Sequence, residues 1–530
     1  MSCRSIAGLL FLIFCSGACS YQVPKEPMTL VWNLGVEPDT LNPITSTDAY
    51  SGRIQSLVGD TLITRDNQTL AWVPQMASRW EMSPDQRQFT FFLRDGIRWH
   101  DGVPLTVEDI IFSYERIQDP KVNSPHLRVY YKDLIRVEKI RERVVRFTFR
   151  EPYFKAFDFC GELPLVPKHL FKEGEDFNAH PIGRAPVGLG PYKFLVWETG
   201  KKVLLVRNED YWGRAIGKFP EIERIRFEFI GDDAVALQVL KKGDLDYAGL
   251  RPIQWVRQTQ TPAFQERFQR YEFYTPNYSF IGWNLRRPFF SDPKVRRALT
   301  LLVNREQILK KIDFGIGRIV TGPFYFGGAD YDAEVPVLPY APLEALRLIE
   351  EAGWKDHDQD GLLDKEGVPF RFEFLIPAGT KTSERLAGIL KEDLRKVGIR
   401  MEIRQVEWAL FTQRLNTRDF DAVVLGWGLP FEQDPYQLWH SSQVEKGSNF
   451  VGYSDPESDR LIEKARTEFD REKRAALYRE LHRRIHESQP YTFLFTRPHL
   501  IALHRRFENT KIYPVGMDPL EWRVNREASL

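Results

Sequence analysis

Phe89-Thr90-Phe91-Phe92-Leu93-Arg94-Asp95-Gly96-Ile97-Arg98-Trp99-His100-Asp101-Gly102-Val103-Pro104-Leu105-Thr106-Val107-Glu108-Asp109 reads as a strand, two turns and a helix start. The apolar run from Arg87 to Leu93 has strand composition. Gly96 marks one turn, and Gly102 with Pro104 marks the next. Thr106 followed by Asp109 three residues later is a capping box, opening a helix through about Ile117. Downstream, Val145, Phe147 and Phe149 alternate with Val144, Arg146 and Thr148, which predicts a half-buried strand. The segment is scaffold, and it claims no ligand.

The same punctuation continues outward. Asp292-Pro293 opens a helix whose apolar face includes Val295, Leu299, Leu302 and Val303. Leu343 to Ala352 is a helix stopped by Gly353. Leu386, Ile389, Leu390, Leu394 and Val397 follow helical spacing up to Gly398, and Ile399, Met401 and Ile403 then alternate as a strand. Ala422 to Leu425 is a continuous apolar run, as in a strand covered on both faces. Two more helices follow, one beginning at Pro456 after Asp455 and one striped by Leu477, Leu481 and Ile485. The class is α/β with antiparallel strands mixed in. At 530 residues the chain exceeds one core, and no Ser/Gly-rich tether separates its units.

Charge excludes some partners. With 74 Lys and Arg against 73 Asp and Glu, no overall field holds nucleic acid or a membrane surface. Arg471 to Arg506 mixes Arg with Glu and apolar residues, the pattern of a solvated helix face. His482 and His486 stand four apart among arginines and read as surface histidines. Met1 to Arg4, the apolar run Ile6 to Phe14 and the small residues Ser16-Gly17-Ala18 form an export signal over residues 1–18. Cleavage after Ala18 is one reading. Acylation of Cys19 is the other, with Ser16 where a lipobox has Leu. The protein is expected in the periplasm or cell envelope. Only Cys3, Cys15, Cys19 and Cys160 occur, so no internal disulfide framework is available.

The opening segment resembles the signature of solute-binding proteins family 5, the peptide- and nickel-type binding proteins of ABC importers. Further blocks agree in order: Gly188-Leu189-Gly190-Pro191-Tyr192, Arg207-Asn208, Tyr211-Trp212-Gly213, Asn284, Asp292 to Leu299, Glu351 to Trp354, Gly426-Trp427, and Tyr453 to Ile462. The resemblance spans about Leu30 to Trp522. It implies a two-lobed periplasmic binding protein fold of type II, the large cluster C type, with a hinge-linked cleft. Lobe I is expected from residues 27–60, 185–272 and 491–530, an extra subdomain of that lobe from 61–184, and lobe II from 273–490. The implied function is capture of a peptide or peptide-sized solute and delivery to an ABC permease, by a protein that is not an enzyme and works as a monomer.

In the oligopeptide-binding relatives two Trp residues line the cleft, and an Asp three residues after the second pairs with the ligand's ammonium. Trp408 and Trp427 match the Trp positions, with Gly426 and Gly428 flanking the second. Pro430 stands where that Asp belongs, although a loop shift could bring in Glu432 or Asp434. A blocked peptide, an oligosaccharide or another extended organic solute therefore stays open as ligand. Asp48 and Tyr50 follow Glu37 to Pro43, which resembles the family's first cleft loop, and are further ligand candidates. Asp356, Asp358, Asp360 and Asp364 around Gly361 have the spacing of a calcium loop, but Gly367 occupies the twelfth place. A structural calcium ion is the one cofactor that pattern allows, with a solvated acidic turn as the alternative. No hydrolase, zincin or P-loop motif is present. An exported hydrolase or a receptor-docking sensor remains a lesser alternative.

Overall fold

The computed structural model describes residues 28–525, so the export signal and Cys19 lie outside it. A seven-stranded sheet runs in the order Phe268–Phe273, His499–His504, Tyr247–Gly249, Thr29–Asn33, Arg224–Glu228, Lys202–Arg207, Tyr192–Glu198. Alternation along Thr29–Asn33 sends Leu30 and Trp32 into one apolar cluster and Val31 into another on the opposite face. This sheet is the core of lobe I. A five-stranded sheet, ordered Arg400–Val406, Arg371–Pro377, Ala422–Gly428, Asn277–Trp283, Tyr491–Phe493, forms lobe II. A four-stranded sheet from Ala77–Met82, Gln88–Leu93, Val144–Phe149 and Leu134–Arg141 carries the subdomain, with its own core around Phe89, Phe91, Phe147 and Phe149.

The opening segment folds as read. Gln88–Leu93 is a strand, Gly96 and Gly102 take φ of 75° and 91°, and Thr106 with Asp109 forms the capping box of helix Val107–Gln118. Two glycines of the Gly188 to Pro191 block are required by close packing. A Cβ on Gly188 would lie 2.0 Å from the Val58 carbonyl oxygen, and one on Gly190 would lie 2.4 Å from that of Gly59. The nearest atoms are backbone in both cases, so nothing soft can yield. Gly188→Ala is expected to lower stability by about 1–3 kcal/mol, read from the denaturant midpoint.

The chain crosses between the two large sheets twice. Phe273 leads to Asn277 through Pro276, and Thr496 leads to His499 through Pro498. Asn277 Nδ2 donates to the Thr275 and Arg497 carbonyls, at 2.8 and 3.1 Å, tying the crossings side by side. Paired short crossings make a hinge. Tyr491–Phe493 pairs with Asn277–Trp283 in the lobe II sheet, so the return to lobe I falls after these residues and not at 491.

The histidine expectation is corrected. His482 and His486 are buried, at 0% and 8% exposure. His482 Nδ1 accepts from the Asp332 amide at 3.1 Å, and Nε2 meets Thr321 Oγ1 at 3.0 Å. Burial lowers its pKa to about 4, so it is neutral at pH 7. The unfolded chain takes up this proton near pH 6.5 and the folded chain only near 4, so stability falls as pH drops through that window. His482→Gln is expected to remove about 2 kcal/mol of the loss between pH 7 and 5. The difference from wild type isolates this residue from Asp60 and Asp330. Burial raises both of those to about 6, and they act in the opposite sense.

Candidate functional site

Between the lobes lies a cavity of about 440 Å³. Lobe I supplies Leu250, Arg251 and Pro252. Lobe II supplies Pro377, Thr380, Thr382 and Ser383 at the start of helix Lys381–Arg395, and Val424 to Gly426 from strand Ala422–Gly428. The crossing segment adds Arg497 and Pro498.

The strand Ala422–Gly428 decides what this cavity can do. On one side it pairs with Asn277–Trp283 along its whole length, from Ala422 opposite Trp283 to Gly428 opposite Asn277. On the other it meets Arg371–Pro377 only at Ala422 and Val423. Among the described residues, no strand covers that second edge from Val424 to Gly428. Alternation sets which groups face it. The Ser279 carbonyl turns away to accept from the Leu494 amide at 2.9 Å, so Tyr278 and Phe280 bond across to their partners Trp427 and Leu425. Gly426 and Gly428 therefore direct their amides and carbonyls to the open edge, and Val424 its carbonyl, the Val424 amide being taken by Leu375 in the parallel ladder.

Charges around the cavity are mostly satisfied internally. Asp313 is 4% exposed and pairs with Arg497 at 2.8 Å. Arg251, exposed at the rim, pairs with Asp233 at 2.6 Å. Thr380 gives helix Lys381–Arg395 no side-chain cap, so its first amides are available to an acceptor in the cleft.

The sequence candidates divide. Gly426 lines the cavity and Gly428 continues the open edge, exposed. Trp427 points to the other face of the sheet, between Phe280 and Phe450 at ring distances of 6.4 and 6.0 Å, because neighbours on a strand face opposite ways. Trp408 is 58% exposed and stacks on Phe411 of its own helix, away from the cavity wall. Asp48 caps helix Ala49–Val58, accepting from the Ser51 amide at 2.7 Å, and Tyr50 is exposed on the first turn. Glu432 and Asp434 do not reach the cavity wall, since both are held in ion pairs, Glu432 to Arg65 and Arg474, and Asp434 to Arg466. Leu250 to Pro252 and Thr380 to Ser383 carried no sequence signal beyond a Pro turn and a helix start.

Asp356, Asp358 and Asp360 bring carboxylate oxygens within 4.8 Å of one another, exposed. Asp364 is turned aside, accepting from the His357 amide at 3.0 Å with the His357 ring also at 3.0 Å. The first three are thus the set able to share a calcium ion. Each also accepts from a backbone amide of the turn, which braces it through the chain itself.

Two lobes joined by paired crossings, with an open strand edge in the cleft between them, define a hinged solute-binding protein. The profile of bacterial extracellular solute-binding proteins, family 5, matches residues 71–449, and the chain belongs to that family. It is 30% identical to the oligopeptide-binding protein AppA of Bacillus subtilis, over 95% of this chain and 94% of that one. The structure of AppA with a nonapeptide superposes with a TM-score of 0.81 at 28% identity, covering 94% of this chain and 99% of that chain. NikZ of Campylobacter jejuni, solved with Ni(L-His), gives 0.79 at 27% identity with the same coverage.

Proposed function

We propose that this protein captures an extended, peptide-sized solute along the open edge of Val424 to Gly428 and presents it to the permease of an ABC importer. The open edge carries the reading. A peptide backbone lying there adds a strand to the lobe II sheet, gaining main-chain hydrogen bonds that depend little on side-chain identity. Closure over the cleft excludes water from those bonds and gives the permease a shape distinct from the empty protein. The likeness to AppA, described with a nonapeptide, supports an oligopeptide-sized ligand.

Charge narrows the ligand further. The one acid on the cavity wall, Asp313, is tied to Arg497. Glu432 and Asp434, beyond the open strand, are neutralised by arginines. A free ammonium therefore finds no uncommitted carboxylate, whereas the uncapped helix start favours an acceptor or anionic group. Peptides blocked at the N-terminus are expected to bind at least as well as free ones. Thermal melting with free and N-acetylated peptides of two to nine residues, and with oligosaccharides, tests this. A ligand at a hundredfold excess over its Kd adds about 2.7 kcal/mol to the folded state. Stabilisation by oligosaccharides alone would replace the peptide reading, and a clear preference for free ammonium groups would remove the charge argument.

A further inference from the structure

Where the open strand ends, lobe II is fastened to the extra subdomain. Arg65 reaches Asp158 of its own subdomain at 3.2 Å and Glu432 of lobe II at 3.2 Å. Its guanidinium is further fixed by the Leu70 carbonyl at 2.8 Å and the Trp72 ring at 3.9 Å. The Tyr153 hydroxyl donates to Asp434 at 2.7 Å, and the Phe154 amide donates to the Arg466 carbonyl at 3.0 Å. Each acid also has a partner at home, Asp158 with Lys155, Glu432 with Arg474, and Asp434 with Arg466 at 3.0 Å. Arg474 lies over the Phe154 ring at 4.1 Å, and Arg466 over Tyr153 at 4.6 Å. Burial raises the Glu432 carboxyl, but Lys155, Arg474 and Arg65 together more than offset it, so its pKa lies below the ordinary value.

These contacts differ from an ordinary surface pair in two respects. Most of the side chains are largely out of water, with Asp158 at 4%, Arg474 at 5% and Lys155 at 8% exposure, so salt screens them weakly. They also converge on Glu432 and Asp434, a few residues beyond Gly428, from a unit separate from the sheet that carries the strand. We propose that Arg65 and Tyr153 are positioning residues for solute capture, clamping the Glu432 to Asp434 loop against the subdomain and so holding the cleft near its closed form before a ligand arrives. The proposal rests on the open edge being the binding site. Apparent affinity is divided by the fraction of molecules already competent, so loosening the clamp weakens capture without touching the cleft wall.

The test is the double variant Arg65→Ala/Tyr153→Phe. It gives up the two crossing bonds together with the Arg65 contacts to Asp158, Leu70 and Trp72 inside the subdomain, and it leaves no acid unpaired, because Asp158, Glu432 and Asp434 all keep their home partners. Small-angle scattering of the ligand-free protein reads the lobe arrangement, and dissociation of a fluorophore-labelled nonapeptide reads capture. The variant is expected to melt as a folded protein, to show a larger radius of gyration than wild type, and to release the peptide at least tenfold faster. Arg65→Lys, with Tyr153 intact, is expected to fall between. An unchanged radius, or an expanded one with unchanged release, overturns the proposal. Should wild type bind no nonapeptide, the ligand reading fails on its own, and the radius alone upholds or overturns the clamp.

Discussion

Replacing Asp246 with alanine is expected to destabilise lobe I by about 3–5 kcal/mol, the largest effect of any single change considered. Asp246 and Arg506 are 0% and 1% exposed as side chains, paired at 2.6 Å in the heart of the lobe. Asp246 also accepts from the Val31 amide at 2.9 Å and a second Arg506 nitrogen at 3.0 Å. It thereby ties strand Thr29–Asn33 to the turn that follows strand His499–His504. Removing the carboxylate takes an ion pair and its hydrogen bonds from the buried Arg506 guanidinium, and breaking a buried pair costs far more than the pair contributes. The measurement is the denaturant midpoint of the lobe I transition, since two lobes need not unfold together. The double replacement Asp246→Leu/Arg506→Met removes both charges and is expected to recover part of the loss. If the single variant loses less than about 1 kcal/mol, water reaches this pair and the burial argument is wrong.

Much of this architecture is legible in the residues because local rules agree with the fold there. The Phe89 to Asp109 segment, the Asp292-Pro293 helix start and the Val144–Phe149 strand are each set by turn, cap or alternation chemistry within a few residues. The cavity is different in kind. Leu250, Asp313, Pro377, Gly426 and Arg497 meet only because two sheets face each other across a hinge, and no local pattern encodes that meeting.

The misread residues teach the same lesson more sharply. Asp48 followed by Ser51 is a helix N-cap in its own right, and that signal was readable without any family likeness. Trp427 and Gly426 are neighbours, so on a strand only one can face the cleft, and it is the glycine. His482 follows the Tyr478, Leu481 and Ile485 stripe of helix Arg471–Ser488, which places it on the buried side despite flanking arginines. The fates of Glu432 and Asp434 could not be foreseen, because their partners Arg65 and Tyr153 lie hundreds of positions away.

Gly426→Pro is expected to weaken peptide capture by about a hundredfold, or 2.7 kcal/mol, while leaving the sheet assembled. The residue lies mid-strand, where proline normally removes a ladder bond. Here alternation gives the ladder bonds to Leu425 and Trp427, and the Gly426 amide faces the open edge. A strand edge where the missing donor would face outward is among the sheet positions proline tolerates. The substitution therefore deletes a donor that the sheet does not use, while its Cβ comes 3.2 Å from the Tyr278 carbonyl oxygen, a contact relieved by a small shift, and its ring stands where a ligand carbonyl would approach. Leu425 before it is already extended, the conformation that a following proline favours. Titration calorimetry with whichever peptide most stabilises wild type, together with thermal melting of both proteins, separates the outcomes. Affinity lost with melting nearly unchanged places the ligand backbone on this edge. Affinity retained in a folded variant would mean that the solute is held by the cavity's side chains alone, and the strand-addition reading would have to be abandoned.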